Sequence, residues 1–211
     1  MNAFKVKVCG ITRKQDAVAA AHFGADFIGM IFWPQSPRAV TEAEAREIIT
    51  GLYPTVQRVG VFVEMPMESI LAVATRLLLD WVQLHGPYTD ADAKKVRRAG
   101  FRVIRVRHIE AQDDYKRLVI DPADLILLDN KAAALPGGTG RRFDWGLQPD
   151  RILPNLVLAG GVTAENVAEG VGIFKPLVVD VNSGVESDPG TKSHEKLEQF
   201  FQECNRIRYD G

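Results

Sequence analysis

The sequence predicts an α/β fold: a single-domain (βα)8 barrel, the TIM-barrel architecture, with eight parallel strands, residues 1–211 forming one domain. Three observations predict it. Short, β-branched apolar segments alternate with amphipathic helical ones along the whole chain, the pattern of parallel strands joined by crossover helices. Eight such pairs fit into 211 residues at about 25 residues each, enough to close a ring. Glycine turns follow the seventh and eighth strands, where barrels of this kind grip ligands. The alternative, an open doubly wound sheet, lacks the expected G-x-G-x-x-G after its first strand.

The elements follow in order. KVKVC (5–9) is the first strand, and in KQDAVAAAHFGA the residues Ala17, Ala20 and Ala21 keep helical spacing until Gly24 stops the helix. DFIGMIF (26–32) precedes TEAEAREIITGL, which opens on Thr41 with Glu44 three residues later, a capping box. RVGVFV (58–63) precedes MESILAVATRLLL, and WVQLH (81–85) precedes TDADAKKVRRAG, again capped and ended by glycine. FRVIRV (101–106) leads to a weaker helical stretch near 112–119. LILLD (125–129) leads into a long loop and a short helix around DWGL. LVLAGG (156–161) precedes TAENVAEGV, and LVVDV (177–181) precedes HEKLEQFFQECNRI. No linker, low-complexity segment or second domain interrupts the rhythm.

Composition narrows the function classes. The chain is 46% apolar and 25% charged with a net charge of −1, so it carries no general basic field for nucleic acid or a membrane surface. Its two cysteines, Cys9 and Cys204, stand at opposite ends, with no C-x-x-C and no Cys/His ligand cluster. No signal pattern precedes the first strand, and no apolar run approaches the ~18 residues of a membrane span. The expectation is a cytoplasmic protein with reduced thiols and no metal.

Chemistry in a barrel sits at the C-terminal ends of the strands. Polar residues interrupt the apolar pattern there: Lys5, Lys7 and Cys9 on the first strand; Gln83 and His85 on the fourth; Arg105 and Arg107, in phase with Val103, on the fifth; Asp129 on the sixth; Asp180 and Asn182 on the eighth. Five strands would then converge at one mouth. Buried charges need partners, so the interior lysines are expected to pair with acids such as Asp180. Each residue alone has a plainer reading. A buried Cys packs as a small hydrophobe, and Cys204 in the last helix is read so. A strand-end His is a satisfied hydrogen-bonding group, the two arginines form rim ion pairs, and Asp129 begins a loop or caps a helix. Convergence is what favours a site.

Glycines cluster in PGGTG (136–140), GG (160–161) and NSGVE (182–186). Backbone N–H groups in such turns approach anions closely, which implies a phosphorylated small molecule; PGGTG reads better as a flexible cover than as a further donor to the phosphate. In WPQSPRAV (33–40), Pro34 and Pro37 stiffen the loop that presents Arg38. A fixed guanidinium suits a carboxylate or phosphate; the plain alternative is a solvated Arg on a Pro-rich turn.

The strings KVCGIT, GADFIGMIFWPQSPRAV, VGVFV, VQLHG, LLD…GGTG…FDW, LAGGVTAENV and VDVNSGVE…PGTK, in this order from residue 5 to about 192, resemble the phosphoribosylanthranilate isomerase family. The resemblance implies an eight-stranded barrel acting in tryptophan biosynthesis. It implies the Amadori rearrangement of N-(5-phosphoribosyl)anthranilate to 1-(2-carboxyphenylamino)-1-deoxyribulose 5-phosphate, without cofactor or metal. The partner is then a small-molecule substrate, with no nucleic acid or membrane, and the assembly a monomer or homodimer. Carried over by motif, Cys9 is the general base and Asp129 the general acid. Arg38 binds the anthranilate carboxylate, and Gly160, Gly161, Ser183 and Gly184 hold the phosphate. His85 and Asp180 complete the expected substrate contacts at the same mouth. Lys7, on the face of Cys9, is a candidate to lower a thiol pKa from about 8.5. Asn182 stands where the family more usually has Ser, and KAAAL before PGGTG is less typical. Competing readings are another phosphate-binding barrel isomerase or epimerase, working with a metal or paired carboxylates, a thiol redox protein acting through Cys9, and a non-catalytic sensor of a phosphorylated ligand.

Overall fold

The structure, a computed structural model, describes residues 4–109, 111–118, 121, 124–129, 152–153 and 155–210. Eight strands form a closed barrel: β1 (Lys5–Val8), β2 (Phe27–Ile31), β3 (Gln57–Val63), β4 (Trp81–His85), β5 (Arg102–His108), β6 (Asp124–Asp129), β7 (Leu156–Leu158) and β8 (Val178–Val181). Each runs parallel to the next, and β8 closes on β1. Among the described residues the helices are α1 (Lys14–Phe23), α2 (Glu42–Ile49), α3 (Met67–Arg76), α4 (Asp90–Arg98), α5 (Gln112–Arg117), α6 (Val167–Phe174) and α7 (His194–Asp210). None of them is long and apolar enough to cross a membrane. The expected PGGTG cover and the DWGL helix lie outside the described residues.

Local chemistry sets the boundaries. Thr41 with Glu44, and Thr89 with Asp92, form reciprocal capping boxes on α2 and α4. Gly24 ends α1 at φ 111°, a left-handed cap. β7 is shorter than LVLAGG suggested, because Gly160 and Gly161 take φ +83° and +72° and leave the extended region.

Two apolar layers hold the barrel. Phe27, Val59, Trp81, Ile104, Leu125 and Val178 belong to the cluster that fills the interior. Val8, Ile28, Phe62, Leu158 and Phe200 belong to the cluster between sheet and helices. Each fully buried large side chain stabilises the fold by about 1.5–3 kcal/mol.

Strand register corrects two expectations. Gln83 pairs with Ile104 and Ile104 with Leu125, so β5 turns Ile104 and Val106 inward. Arg105 and Arg107 therefore lie on the outer face, away from the mouth. Buried Arg105 pairs with Asp90 of α4 and lies 3.7 Å from Asp124, and Arg97 of α4 joins Asp124 and Asp121. This network clips α4 to the barrel wall. The second correction is of burial, not of phase: Lys5 keeps the inward parity, opposite Val178, but sits exposed, its ammonium 5.8 Å from the Phe27 ring centre, and is not buried with an acid as expected.

Candidate active site

Lys7 is the fully buried lysine of β1, and its Nζ donates to Asp180 Oδ2 at 2.8 Å. β1 pairs with β8 so that Lys7 and Asp180 are direct partners in the ladder, as the interior-pairing expectation required. Cys9 follows β1, its N–H donating to Val181 O at 2.9 Å. A Cβ on Gly29 of β2 would lie 2.9 Å from Cys9 Sγ and 3.2 Å from Lys7 Nζ. Thiol and ammonium thus share the space left by the missing Gly29 side chain. A glycine inside an apolar strand signals such a close approach, and the sequence reading passed over it.

Charge and burial compete in this cluster. Burial works against a charged Lys7, but Asp180 and Cys9 outweigh it and hold the lysine above its ordinary range. Burial pushes the Cys9 thiol up; Lys7 pulls it down, as expected of it, and Asp180 opposes that pull. The resting cluster therefore holds a thiol beside a lysine already paired with a carboxylate.

Gly10 explains how Arg38 reaches this cluster. It takes φ +69°, and a Cβ there would meet Arg38 Cδ at 2.7 Å and Asn182 Oδ1 at 2.5 Å. The stem of Arg38 thus passes directly over the residue next to Cys9. The guanidinium is buried, donating from Nε to Glu186 Oε1 at 2.9 Å and from Nη2 to Glu186 Oε2 at 2.7 Å. The solvated-Arg alternative does not hold. Glu186 opens β9 (Glu186–Asp188), which pairs antiparallel with β10 (Thr191–Lys192), a hairpin absent from the sequence reading.

At the exit of β7, Asn166 holds the turn: its Oδ1 accepts from Thr163 N at 2.8 Å and its Nδ2 donates to Gly161 O at 2.9 Å. Gly184 lies in the 3-10 turn Ser183–Val185 after β8, and a Cβ there would overlap the carbonyl oxygen of Val162. The two glycine loops therefore touch, bringing Gly160, Gly161, Ser183 and Gly184 together beside the start of α6. On the other side of the mouth, buried His85 ends β4, its ring centre 6.0 Å from that of His108. His108, which the sequence reading missed, pairs in register with Asp129, the last residue of β6.

The family model for N-(5'-phosphoribosyl)anthranilate (PRA) isomerase matches residues 6–203. The chain belongs to the phosphoribosylanthranilate isomerase family. The N-(5'-phosphoribosyl)anthranilate isomerase of Pseudomonas savastanoi pv. phaseolicola is 41% identical over 203 residues, 95% of this chain and 97% of that protein. The crystal structure of phosphoribosyl anthranilate isomerase from Thermotoga maritima matches with a TM-score of 0.87 at 38% identity, covering 97% of this chain and all 100% of that one. A second phosphoribosyl anthranilate isomerase structure, in complex with reduced 1-(o-carboxyphenylamino)-1-deoxyribulose 5-phosphate, gives 0.83 at 35% identity, again over 97% and 100% of the two chains. The expected family and fold are borne out, and the chain is an isomerase.

In this phosphoribosylanthranilate isomerase fold, burial lowers the His85 pKa to about 4, with His108 and Lys7 adding to the effect. The ring is neutral at neutral pH and offers hydrogen bonds without charge. Its unfolded value is near 6.5, so between there and about 4 the unfolded chain binds a proton that the folded chain refuses. Stability is therefore expected to fall as pH drops through that window, by about 3 kcal/mol from this group. Urea unfolding of His85→Gln at neutral pH and at about pH 4.5 should show a smaller acid loss than the parent. An equal loss in both proteins would assign the acid sensitivity elsewhere.

Proposed function

We propose that the chain rearranges N-(5-phosphoribosyl)anthranilate to 1-(2-carboxyphenylamino)-1-deoxyribulose 5-phosphate, a cytoplasmic step of tryptophan biosynthesis, with Cys9 as general base and Asp129 as general acid. The observation that carries it is the juxtaposition at Gly10: an arginine suited to a carboxylate crosses the residue next to a buried thiol. The touching glycine loops supply a second anion grip. The ligand named in the complex of the related isomerase carries both a carboxyl and a phosphate.

Asp129 gives its proton to the ribose ring oxygen as the C1–O bond breaks, while the aniline nitrogen's lone pair forms the Schiff base. Cys9, as thiolate beside Lys7, then takes the C2 proton. The electron pair of that C–H bond moves to C1–C2 and neutralises the iminium, and the enolamine tautomerises to the ketone. Arg38 holds the carboxylate end and Gly160, Gly161, Ser183 and Gly184 the phosphate end. Fixing both ends converts the proton transfers into local steps. His85 and Asp180 face the sugar between them. A redox role for Cys9 is disfavoured, because redox-sensing cysteines are exposed and acidic, whereas Cys9 is buried and pushed up.

Turnover, followed by loss of the anthranilate fluorescence, tests the reading; no turnover by the intact protein would end it. Arg38→Ala is expected to raise KM by roughly 10–100-fold, the worth of a charge-assisted hydrogen-bonded pair, with a smaller change in kcat. Unchanged KM would remove Arg38 from the carboxylate site.

A further inference from the structure

We infer that Glu186 and Lys192, on the β9–β10 hairpin, are positioning residues that preset Arg38 for a carboxylate-bearing substrate: Glu186 fixes its direction and Lys192 restores its net charge. The inference rests on the role proposed for Arg38 above.

A guanidinium has two edges that can each donate a parallel pair of hydrogen bonds. Glu186 occupies the Nε/Nη2 edge of Arg38. The opposite edge, Nη1 with the second Nη2 hydrogen, makes no hydrogen bond to the described residues and is left for a second carboxylate. Glu186 is itself over-determined. Its Oε1 also accepts from Lys192 Nζ at 2.9 Å and from Gly190 N at 3.2 Å. Despite burial, Arg38 and Lys192 hold its carboxyl below the usual range, so it is ionised.

The charge count gives Lys192 its purpose. Arg38 and Glu186 alone sum to zero, and a neutral pair attracts an incoming anion weakly. Burial pulls the Lys192 pKa down and Glu186 pushes it back up; as the ammonium that its three acceptors call for, it makes the buried triad net positive. Its ammonium has three donors, and all three are engaged, by Glu186 Oε1, Asn182 O at 3.0 Å and Asn182 Oδ1 at 2.9 Å. Lys192 is 2% exposed, so it acts on the ligand through Arg38 rather than by touching it. The hairpin is anchored to match. Lys192 N donates to Asp16 Oδ2 of α1 at 3.0 Å, Lys196 Nζ of α7 to Glu186 O at 2.7 Å, and Thr12 Oγ1 to Gly190 O at 2.5 Å.

Two variants separate direction from charge. Glu186→Asp keeps the charge and shortens the support; Lys192→Met keeps the Arg38–Glu186 fork and removes the surplus charge, with Lys192→Arg as the charge-restoring control. Calorimetry would compare two ligands: reduced 1-(o-carboxyphenylamino)-1-deoxyribulose 5-phosphate and its phenylamino analogue without the carboxyl. Glu186→Asp and Lys192→Met are each expected to weaken the carboxylate ligand roughly 10-fold and to raise KM similarly; kcat of Glu186→Asp should stay within about 2-fold, whereas Lys192→Met also removes a charge that helps lower the Cys9 thiol and so lowers kcat as well. The analogue should bind as before, and Lys192→Arg should recover most of the loss. Equal weakening of both ligands, or unchanged affinity for the carboxylate ligand in both variants, would overturn the inference. If the parent protein itself does not prefer the carboxylate ligand, or if Arg38→Ala leaves that preference intact, the role of Arg38 fails first and the inference with it.

Discussion

Cys9→Ser is expected to lower kcat by roughly 10²–10⁴-fold, the range for loss of a general base, while affinity for a product analogue stays nearly intact. Serine is smaller than cysteine, so it fits the space over Gly29 that already holds Sγ, and the fold has no reason to suffer. The loss is chemical. A hydroxyl ionises far less readily than a thiol, even beside the same lysine. The pH profile carries the same argument. Burial pushes the thiol up while Lys7 pulls it down, so the thiolate fraction grows with rising pH and kcat of the parent should climb with it. That limb should be absent in Cys9→Ser. A serine variant with parental kcat, or with the same alkaline limb, would place the base elsewhere.

Which parts of this site were legible in advance follows from what each depends on. Lys7 with Asp180 was readable, because barrel closure sets the first strand beside the last and both residues share the interior parity. The capping boxes at Thr41 and Thr89 were readable because they are local. The phase of β5 was not: FRVIRVRH carries apolar residues on both parities, and only its neighbours decide that Ile104 and His108 face the mouth side while Arg105 meets α4. The β9–β10 hairpin is too short and polar to show a period, although Asp188-Pro189-Gly190 is turn chemistry and Gly190 takes φ +85°. Glu186 and Lys192 went unnoticed for that reason, and the burial of Arg38 with them. Asn182, singled out as a departure from the family pattern, accepts two hydrogen bonds from Lys192 and so belongs to this support.

Asp129→Asn is expected to lower kcat by roughly 10²–10⁴-fold as well, for a different step. Asp129 closes β6 after Leu125, Ile126, Leu127 and Leu128, all buried. A general acid must carry its proton when substrate binds, and a carboxyl covered by its substrate is favoured in that form. Asparagine preserves size and a donor but has no proton to surrender to the ring oxygen, so ring opening becomes limiting. Substrate deuterated at C2 separates this from the loss at Cys9. Breaking the C2–H bond limits the serine variant, which should then show a primary isotope effect on kcat. In Asp129→Asn the limiting step precedes that bond's cleavage, so the effect should vanish while KM and the unfolding midpoint stay near the parent's. An Asn variant with parental kcat, or an isotope effect as large as that of Cys9→Ser, would mean that the ring oxygen receives its proton from another group.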